Sequence, residues 1–205
     1  MSSLFPMFLK LEGRRCLVVG AGNVAEGKIA SLLETGARVQ VVATQAVPMI
    51  SEWAEAGQID LHLRPFSSDD LDGVLVAVVA TSLADLNERI YREAQQRGVL
   101  CNVVDVPQLC DFYYPAIVRR GDLQIAISTK GHSPALAKRL REQLEEQFGP
   151  AYAEWVADLG QTRKLVLASH LSPDRKRELL LSLASVAAVE AAIGAEPTFT
   201  EEPVA

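Results

Sequence analysis

The sequence predicts an α/β protein, in which a doubly wound parallel sheet is followed by a small β-rich region and then by helices. Short apolar runs alternate with amphipathic stretches over the first ~110 residues, the pattern of buried parallel strands joined by helices. This alternation stops after Pro107, and beyond Gly149 and Pro150 only helical patterns remain. Hydrophobic residues make up 49% of the 205 residues, which is enough for a buried core and excludes a wholly disordered chain.

The strands and helices of the sheet region are predicted from continuous apolar runs and from helical spacing. The first helix carries Val24, Ala25, Ile29, Leu32 and Leu33 on one face, and Gly36 ends it. Strands are predicted over residues 15–19, 38–43, 59–64, 74–80 and 100–104, with helices over 23–34, 48–56 and 85–97.

The second part of the chain is predicted to hold a β-hairpin and three helices. Strands over 113–118 and 123–128 are joined by residues 119–122, whose Gly–Asp pair suits a hairpin turn. Ser133 as N-cap and Pro134 at the first helical position open a helix to about Phe148. Further helices are predicted over 151–169 and 173–193. We expect domains at 1–112, 113–148 and 149–193, and a disordered tail over 194–205.

Charge and composition limit the classes of partner. The net charge of -6 argues against non-specific binding to nucleic acid or to membrane surfaces. Three cysteines without CxxC spacing are expected to be reduced core thiols of a cytoplasmic protein. No apolar run approaches the ~20 residues of a membrane span, and residues 1–10 lack the basic start of a signal peptide. His62, His132 and His170 are not at metal-ligand spacing, so no resident metal is expected.

A glycine turn between the first strand and the first helix predicts a dinucleotide site. Gly20 permits the tight turn, Gly22 lets the backbone approach a pyrophosphate, and Ala25 is small enough for helix–strand packing. The helix N-terminus adds amide donors for the phosphates. The alternative is a tight turn that binds nothing.

The residues after the second strand leave the choice of dinucleotide open. An acidic residue usually binds the ribose hydroxyls there, but the sequence has Ala43, Thr44 and Gln45. Ribose contacts would come from backbone groups and Thr44. NAD and NADP are therefore not cleanly separated, although no arginine is present to favour a 2′-phosphate.

Two further segments suggest chemistry. Asp105 follows a strand of the sheet, at the edge where ligands bind, and can accept a proton; the alternative is a turn-forming aspartate.

The turn over 128–134 offers hydroxyls and amides to an anion, while simple N-capping by Ser133 is the alternative. Basic residues cluster around this turn and suggest a polyanionic ligand, unless they form a solvated helix face: Arg119, Arg120, Lys130, Lys138, Arg139 and Arg141.

Four segments together resemble the siroheme synthase family, and its precorrin-2 dehydrogenases in particular. They are the glycine turn with Lys28, then residues 102–107 around Asp105, 114–123 and 125–135. The resemblance is strong up to about residue 150 and weak in the helical remainder.

The resemblance implies oxidation of precorrin-2 to sirohydrochlorin with NAD, on a Rossmann domain. It also implies a homodimer paired through the strands of a small dimerisation region, and a helical C-terminal domain. Some members of the family insert Fe²⁺ to give siroheme. Whether this chain does so, whether Fe²⁺ or Co²⁺ is used, and whether the product serves siroheme or cobalamin stay open. The family's methyltransferase half is not expected, because few residues follow Pro150.

The family's functional positions fall on named residues of this chain. Asp105 is the expected catalytic residue. Cofactor contacts are expected at Gly20, Gly22, Asn23, Val24, Thr44, Gln45 and Thr81. Substrate contacts are expected at Asn102, Arg120, Ser128, Thr129, Lys130, His132 and Ser133. Thr129 aligns with a serine that is phosphorylated in the fused enzymes, so that regulation is not carried over. The competing hypothesis is a non-enzymatic dinucleotide sensor, which would bind NAD(H) but no tetrapyrrole.

Overall fold

Five parallel strands form the sheet of the first of two units. The computed structural model describes residues 3–185 and divides the chain between Tyr113 and Tyr114. The strands are β1 (Arg15–Val19), β2 (Arg38–Ala43), β3 (Ile59–Leu63), β4 (Val76–Val79) and β5 (Leu100–Val103). Their order is β3-β2-β1-β4-β5. The chain therefore extends the sheet from β1 to one side with β2 and β3, and then to the other side with β4 and β5. This arrangement confirms the predicted doubly wound sheet and places a switch point between β1 and β4.

Helices cover both faces of this sheet, which explains why its strands are apolar throughout. The helices are α1 (Asn23–Leu33), α2 (Pro48–Glu55) and α3 (Ala84–Gln96). Val18 of β1 packs with α1 and α2 in one core cluster, and its neighbour Val19 packs with α3 in the other. Neighbouring strand residues point to opposite faces, so both must be apolar when both faces are covered.

The prediction of the apolar face of α1 is wrong at one residue, Val24. Val24 is 55% exposed, whereas Ala25, Ile29 and Leu32 are buried. Val24 lies in the first turn of the helix, at the end of the sheet rather than over its face. The first two strands, β1 and β2, have the predicted boundaries, and the other elements of this unit differ from the predicted ones by at most two residues at either end.

The crossover from β3 to β4 contains only a short 3₁₀ helix, Ser68–Leu71, which a buried carboxylate fastens to the sheet. Asp70 is 4% exposed and accepts two hydrogen bonds from the Arg64 guanidinium, at 2.5 and 2.9 Å. It also accepts bonds from the Ser67 N–H at 2.8 Å and from Gln40 Nε2 at 3.2 Å. These bonds hold the crossover without a packed helix.

Asp70 is expected to make the protein sensitive to acid. Burial raises the pKa of its carboxyl, but the hydrogen bonds from Arg64 and the Ser67 N–H outweigh burial and hold that pKa below 3.8. A lowered pKa stabilises the fold above the ordinary value, and this stabilisation is lost as the pH falls through and below it. We expect Asp70→Asn to lower the free energy of unfolding by about 2 kcal/mol at pH 7. Urea unfolding at pH 7 and pH 3 checks this, and an equal loss at both values would contradict it.

The outer edge of β5 is closed by residues 110–112. Asp111 exchanges two hydrogen bonds with Cys101: its N–H donates to the Cys101 carbonyl at 2.8 Å, and its Oδ2 accepts from the Cys101 N–H at 2.9 Å. Gln95 Nε2 of α3 donates to the same carboxylate oxygen at 2.6 Å. Asn102 and Cys110 form an antiparallel bridge beside them. The segment therefore occupies hydrogen-bonding groups that an edge strand usually leaves unpaired.

The second unit holds an antiparallel hairpin and three helices. They are β6 (Ala116–Arg120), β7 (Leu123–Ile127), α4 (Pro134–Gln147), α5 (Tyr152–Ala168) and α6 (Pro173–Leu183). The predicted first strand began too early, and the turn is only Gly121 and Asp122, because Arg119 and Arg120 still pair with β7. Gly121 has φ +56°, a left-handed conformation that glycine adopts easily. The small antiparallel sheet and the C-terminal helices confirm the predicted fold class.

The last helix was predicted over residues 173–193, but it ends earlier within the described residues. α6 ends at Leu183, and Ala184 and Ser185 are outside it. The rest of that prediction, residues 186–193, and the tail over 194–205 lie outside the described residues. The division of the second part into a dimerisation region and a helical domain stays a prediction.

The three cysteines are free thiols, and burial raises the pKa of Cys16 to about 11 and that of Cys101 to about 12, so both are protonated at neutral pH. Between residues 3 and 185, no helix has the length and apolar character required to cross a membrane.

Candidate active site

The loops that follow four parallel strands meet at one edge of the sheet. Backbone hydrogen bonds join them: Gly20 N–H donates to the Val42 carbonyl at 2.9 Å, and Ala80 N–H to the Val19 carbonyl at 2.8 Å. Val104 N–H donates to the Val79 carbonyl at 2.9 Å. The loops carrying the predicted cofactor residues and Asp105 are therefore at the same carboxyl edge, beside the switch point where open sheets bind ligands.

Gly20 is required by the structure of this edge. Its φ is +102°, a conformation that side chains rarely adopt. A Cβ at this position would lie 2.3 Å from the Ala80 carbonyl oxygen, which is backbone and cannot move aside without moving β4. Only glycine lets the turn pass this close to the end of the neighbouring strand.

The start of α1 has the properties of a pyrophosphate site. Gly22 is the N-cap, and no side chain accepts a hydrogen bond from the first turn. A Cβ on Gly22 would have no atom within 4 Å, so space is open above the turn. Asn23 and Val24 are exposed beside it. Open space and uncapped N–H groups at a helix N-terminus suit the phosphates of a dinucleotide.

The predicted ribose position after β2 carries no charge of its own. Thr44 and Gln45 are exposed. Arg64 follows β3, and its neighbour Leu63 pairs in register with Ala43. The two terminal nitrogens of that guanidinium both bind Asp70, on the face of the sheet that carries Gln40.

Thr81 is held at this edge by a residue that the sequence analysis missed. The Thr81 hydroxyl donates to Asn87 Oδ1 at 2.5 Å, and Asn87 Nδ2 donates back to the Thr81 carbonyl at 3.1 Å. Asn87 is 6% exposed on α3, on the same face as the buried Ile90 and Ala94. An asparagine at a core position of an amphipathic helix is the signal that could have identified it.

Asp105 is exposed in a turn just beyond β5. Its φ is +62°, one of the two left-handed residues other than glycine among the described residues. Asn102 supports the turn, since its buried Nδ2 donates to the Phe112 carbonyl at 2.8 Å. Side chains held in unfavourable backbone conformations concentrate at functional sites. The strand and Asn102 thus present an accessible carboxylate at the edge where the cofactor loops meet.

Lys28 is a second charged residue that the sequence analysis did not place in the site. It is half-buried on α1, one turn after Ala25. Burial lowers the pKa of its ammonium, and the negative charge of Asp105 opposes that lowering. The two side chains therefore interact electrostatically, although 77 positions separate residues 28 and 105.

The predicted anion-binding turn lies in the second unit and is ordered by its own hydroxyls. Ser133 Oγ accepts from the Leu136 N–H at 3.2 Å and caps α4, as the alternative interpretation expected. Thr129 Oγ1 accepts from the Ser133 N–H at 3.1 Å, and Ser128 Oγ from the Lys130 N–H at 3.2 Å. Lys130 and His132 are exposed. The turn thus combines ordered hydroxyls with exposed basic side chains.

Arg120 has a structural role that the sequence analysis did not anticipate. Its guanidinium donates to the Phe148 carbonyl at 2.7 Å, the Glu145 carbonyl at 2.9 Å and the Arg119 carbonyl at 2.8 Å. Two of these donors therefore bind carbonyls at the end of α4 and the third binds the neighbouring residue. The expected contact of Arg120 with substrate stays a prediction.

The basic cluster around this turn is partly neutralised. Arg141 pairs with Glu145 at 2.5 Å, and Lys138 lies 3.9 Å from Glu142. The solvated helix face therefore explains part of the cluster, which is weaker support for a polyanionic ligand than the sequence suggested.

Comparison with known families matches both units of the chain. Residues 7–116 match an NAD(P)-binding family, and residues 120–147 match the central region of sirohaem biosynthesis proteins. The siroheme synthase of Nitrosococcus oceani is 42% identical over 147 residues, and that of Shigella boydii serotype 18 is 44% identical over 172 residues. These stretches cover 72% and 84% of this chain but only 31% and 38% of the relatives, so the chain spans about a third of their length.

A solved structure is similar over nearly the whole length. SirC, a precorrin-2 dehydrogenase, has a TM-score of 0.76 at 32% identity, over 89% of this chain and 90% of that one. Sheet order, glycine turn and family match together define a Rossmann-type domain that binds a nicotinamide dinucleotide. The chain belongs to the siroheme synthase and precorrin-2 dehydrogenase family.

Proposed function

We propose that this chain oxidises precorrin-2 to sirohydrochlorin with NAD as the hydride acceptor. The observation that carries the proposal is the position of Asp105, an exposed carboxylate at the same carboxyl edge as the glycine turn. A dinucleotide sensor needs the turn but has no use for a carboxylate presented in this way. Family membership supports the same function.

The oxidation removes two hydrogens from the substrate, one as a hydride and one as a proton. A dinucleotide held at Gly20 and Gly22 would supply the hydride acceptor, and NAD⁺ would leave as NADH. We assign the proton to the Asp105 carboxylate, which passes it to water, so precorrin-2 and NAD⁺ give sirohydrochlorin, NADH and H⁺. Asn102 is assigned to positioning, because its amide holds the turn that carries Asp105.

NAD is favoured over NADP by the charges near the ribose position. A 2′-phosphate would need a cation beside Thr44 and Gln45. Arg64 is next to them in strand register, but both terminal nitrogens of its guanidinium bind Asp70. Because the charge of this guanidinium is already paired with Asp70, a 2′-phosphate would gain less from it than from an unpaired arginine, so we expect NADPH to bind more weakly than NADH.

The ordered turn of the second unit is proposed to bind substrate carboxylates. Ser128, Thr129 and Ser133 offer hydroxyls, and Lys130 and His132 offer cationic or polar groups. Precorrin-2 is rich in carboxylates, which pair with such groups. A homodimer stays a prediction. Insertion of Fe²⁺, with the metal as a second substrate, would also need a base for the pyrrole N–H protons, and Asp105 is the residue we would assign.

The test is an anaerobic assay of the purified protein with precorrin-2 and NAD⁺, without metal. We expect NADH and the sirohydrochlorin spectrum to appear together in equal amounts, and the rate with NADP⁺ to be lower by about tenfold or more. Adding Fe²⁺ afterwards shows whether siroheme forms. NADH binding without any oxidation and without a spectral change on adding sirohydrochlorin would reject the enzyme and favour the sensor.

A further inference from the structure

The loop after β4 borders the switch point at the carboxyl edge. Ala80 N–H donates to the Val19 carbonyl at 2.8 Å, which joins the start of this loop to the end of β1. Cγ2 of Thr81 would lie 3.5 Å from a Cβ at Gly20, so Thr81 borders the glycine turn on the β4 side. A dinucleotide that crosses a switch point has its adenosine half on the β2 side, and its nicotinamide half therefore falls on the side of β4 and β5.

The hydrogen bonds between Thr81 and Asn87 fix the direction in which the Thr81 hydroxyl bonds. The Thr81 carbonyl oxygen can only accept, so Asn87 must turn its side-chain nitrogen towards it, at 3.1 Å. Asn87 Oδ1 is then the atom that faces the Thr81 hydroxyl, and an amide oxygen can also only accept. The hydroxyl therefore donates its single hydrogen to Asn87, at 2.5 Å.

These bonds leave the Thr81 side-chain oxygen as an acceptor alone. A hydroxyl oxygen has one hydrogen and two lone pairs. Asn87 takes the hydrogen, and one lone pair accepts from the Leu83 N–H at 3.3 Å. Asn87 is 6% exposed and its nitrogen is held by the Thr81 carbonyl, so it cannot turn over and release the hydrogen. Thr81 is only half-buried, and its second lone pair can accept from a ligand that donates.

Given the nicotinamide cofactor of the proposed function, we propose that Thr81 recognises the carboxamide of the nicotinamide ring, and that Asn87 is the positioning residue that makes Thr81 an acceptor. The carboxamide N–H₂ can donate to the Thr81 oxygen. A nicotinic acid ring carries a carboxylate instead, which has no hydrogen to donate and brings a negative charge towards a second acceptor. The pair therefore selects the amide form of the dinucleotide over the acid form.

The first test compares NADH with reduced nicotinic acid adenine dinucleotide, in which a carboxylate replaces the carboxamide. Calorimetry measures the dissociation constants of both for the unaltered protein, and that of ADP-ribose, which lacks the ring. We expect the acid form to bind more weakly than NADH by about tenfold or more. Equal affinity for the two forms would overturn the proposal, and so would a failure to bind either of them.

Thr81→Val and Asn87→Ala test the two members of the pair. Valine keeps the shape of threonine without an oxygen, and alanine at position 87 releases the Thr81 hydroxyl to donate. In both variants we expect the ratio of the acid and NADH dissociation constants to fall to about threefold or less, with ADP-ribose changed by less than about twofold. A purely structural role would weaken all three ligands together and leave the ratio unchanged. That result in either variant would reject the proposal.

Thr35→Val is the matched control for the loss of a threonine hydroxyl. Thr35 is also half-buried, and its hydroxyl donates to the Leu32 carbonyl at 2.6 Å, just beyond the other end of α1. The ratio of the two dissociation constants should stay at the wild-type value in this variant, and a lowered ratio would show that the effect does not belong to Thr81.

These measurements need no turnover, so they separate this inference from the oxidation of precorrin-2. A protein that prefers NADH as expected but does not oxidise precorrin-2 would reject the proposed function and keep the role of Thr81 and Asn87. An active enzyme that binds the amide and acid forms equally well would keep the function and reject that role.

Discussion

Asp105→Asn should reduce oxidation of precorrin-2 by about 10²–10⁴-fold while the protein still binds NADH. The amide cannot accept the proton that leaves the substrate. Asparagine is chosen because it keeps the shape of the side chain and tolerates a φ of +62°. Single-turnover absorbance under anaerobic conditions measures the chemical step, and fluorescence of bound NADH measures the cofactor.

A matched control removes a carboxylate elsewhere in the same unit. Asp69→Asn neutralises an exposed aspartate of the β3–β4 crossover and should leave turnover and NADH binding unchanged. Turnover of Asp105→Asn within about threefold of wild type would remove Asp105 from the mechanism, because loss of a general base costs far more than that. Loss of NADH binding in this variant would instead place Asp105 in the cofactor site.

Gly20→Ala is expected to abolish measurable NADH binding and to lower the free energy of unfolding by about 3 kcal/mol or more. Its Cβ would lie 2.3 Å from the Ala80 carbonyl oxygen, and its φ of +102° is unfavourable for alanine. The turn and the end of β4 must separate to make room, and the cofactor loops separate with them. Chemical unfolding and NADH fluorescence measure the two effects.

Gly57→Ala is the matched control for the cost of the backbone conformation alone. Gly57 also has a left-handed φ, +70°, but a Cβ there would have no atom within 4 Å. We expect a loss of about 1 kcal/mol and unchanged NADH binding, because only the conformational cost of alanine applies. If the two variants were equally stable and bound NADH equally well, the close approach of Gly20 to β4 would matter neither for stability nor for NADH binding.

The sequence predicted the features that depend on neighbouring residues. Continuous apolar runs identified the strands because both faces of the sheet are covered, and Gly20 and Gly22 identified the turn because its geometry is local. The cap on α4 was also predictable, since Ser133 and Pro134 are a local signal. The place of Asp105 at the carboxyl edge was predictable as well, because this residue comes just after a strand of a parallel sheet.

The features that were missed join residues far apart in the sequence. Arg120 binds carbonyls at positions 145 and 148, a structural role that its charge alone did not indicate. Arg64 donates its hydrogen bonds to Asp70 and not to the predicted ribose position. Asn87, on α3, accepts a hydrogen bond from the Thr81 hydroxyl. Val24 satisfied the helical spacing but lies beyond the end of the sheet. The distant pairings and the exposure of Val24 both depend on how the elements pack, which spacing along the sequence does not reveal.

The way Asp111 binds the backbone of Cys101 has a consequence for self-association. An uncovered edge strand can recruit a strand from another molecule, and this is a common route to aggregation. At the β5 side the donor and acceptor of Cys101 are already used, so an incoming strand would have to displace a carboxylate and a Gln95 bond first. The opposite edge, β3, carries Leu63 at 64% exposed and has no comparable cover in the described first unit. Aggregation through strand addition should therefore begin at β3, and a charged substitution of Leu63 is the change that would suppress it.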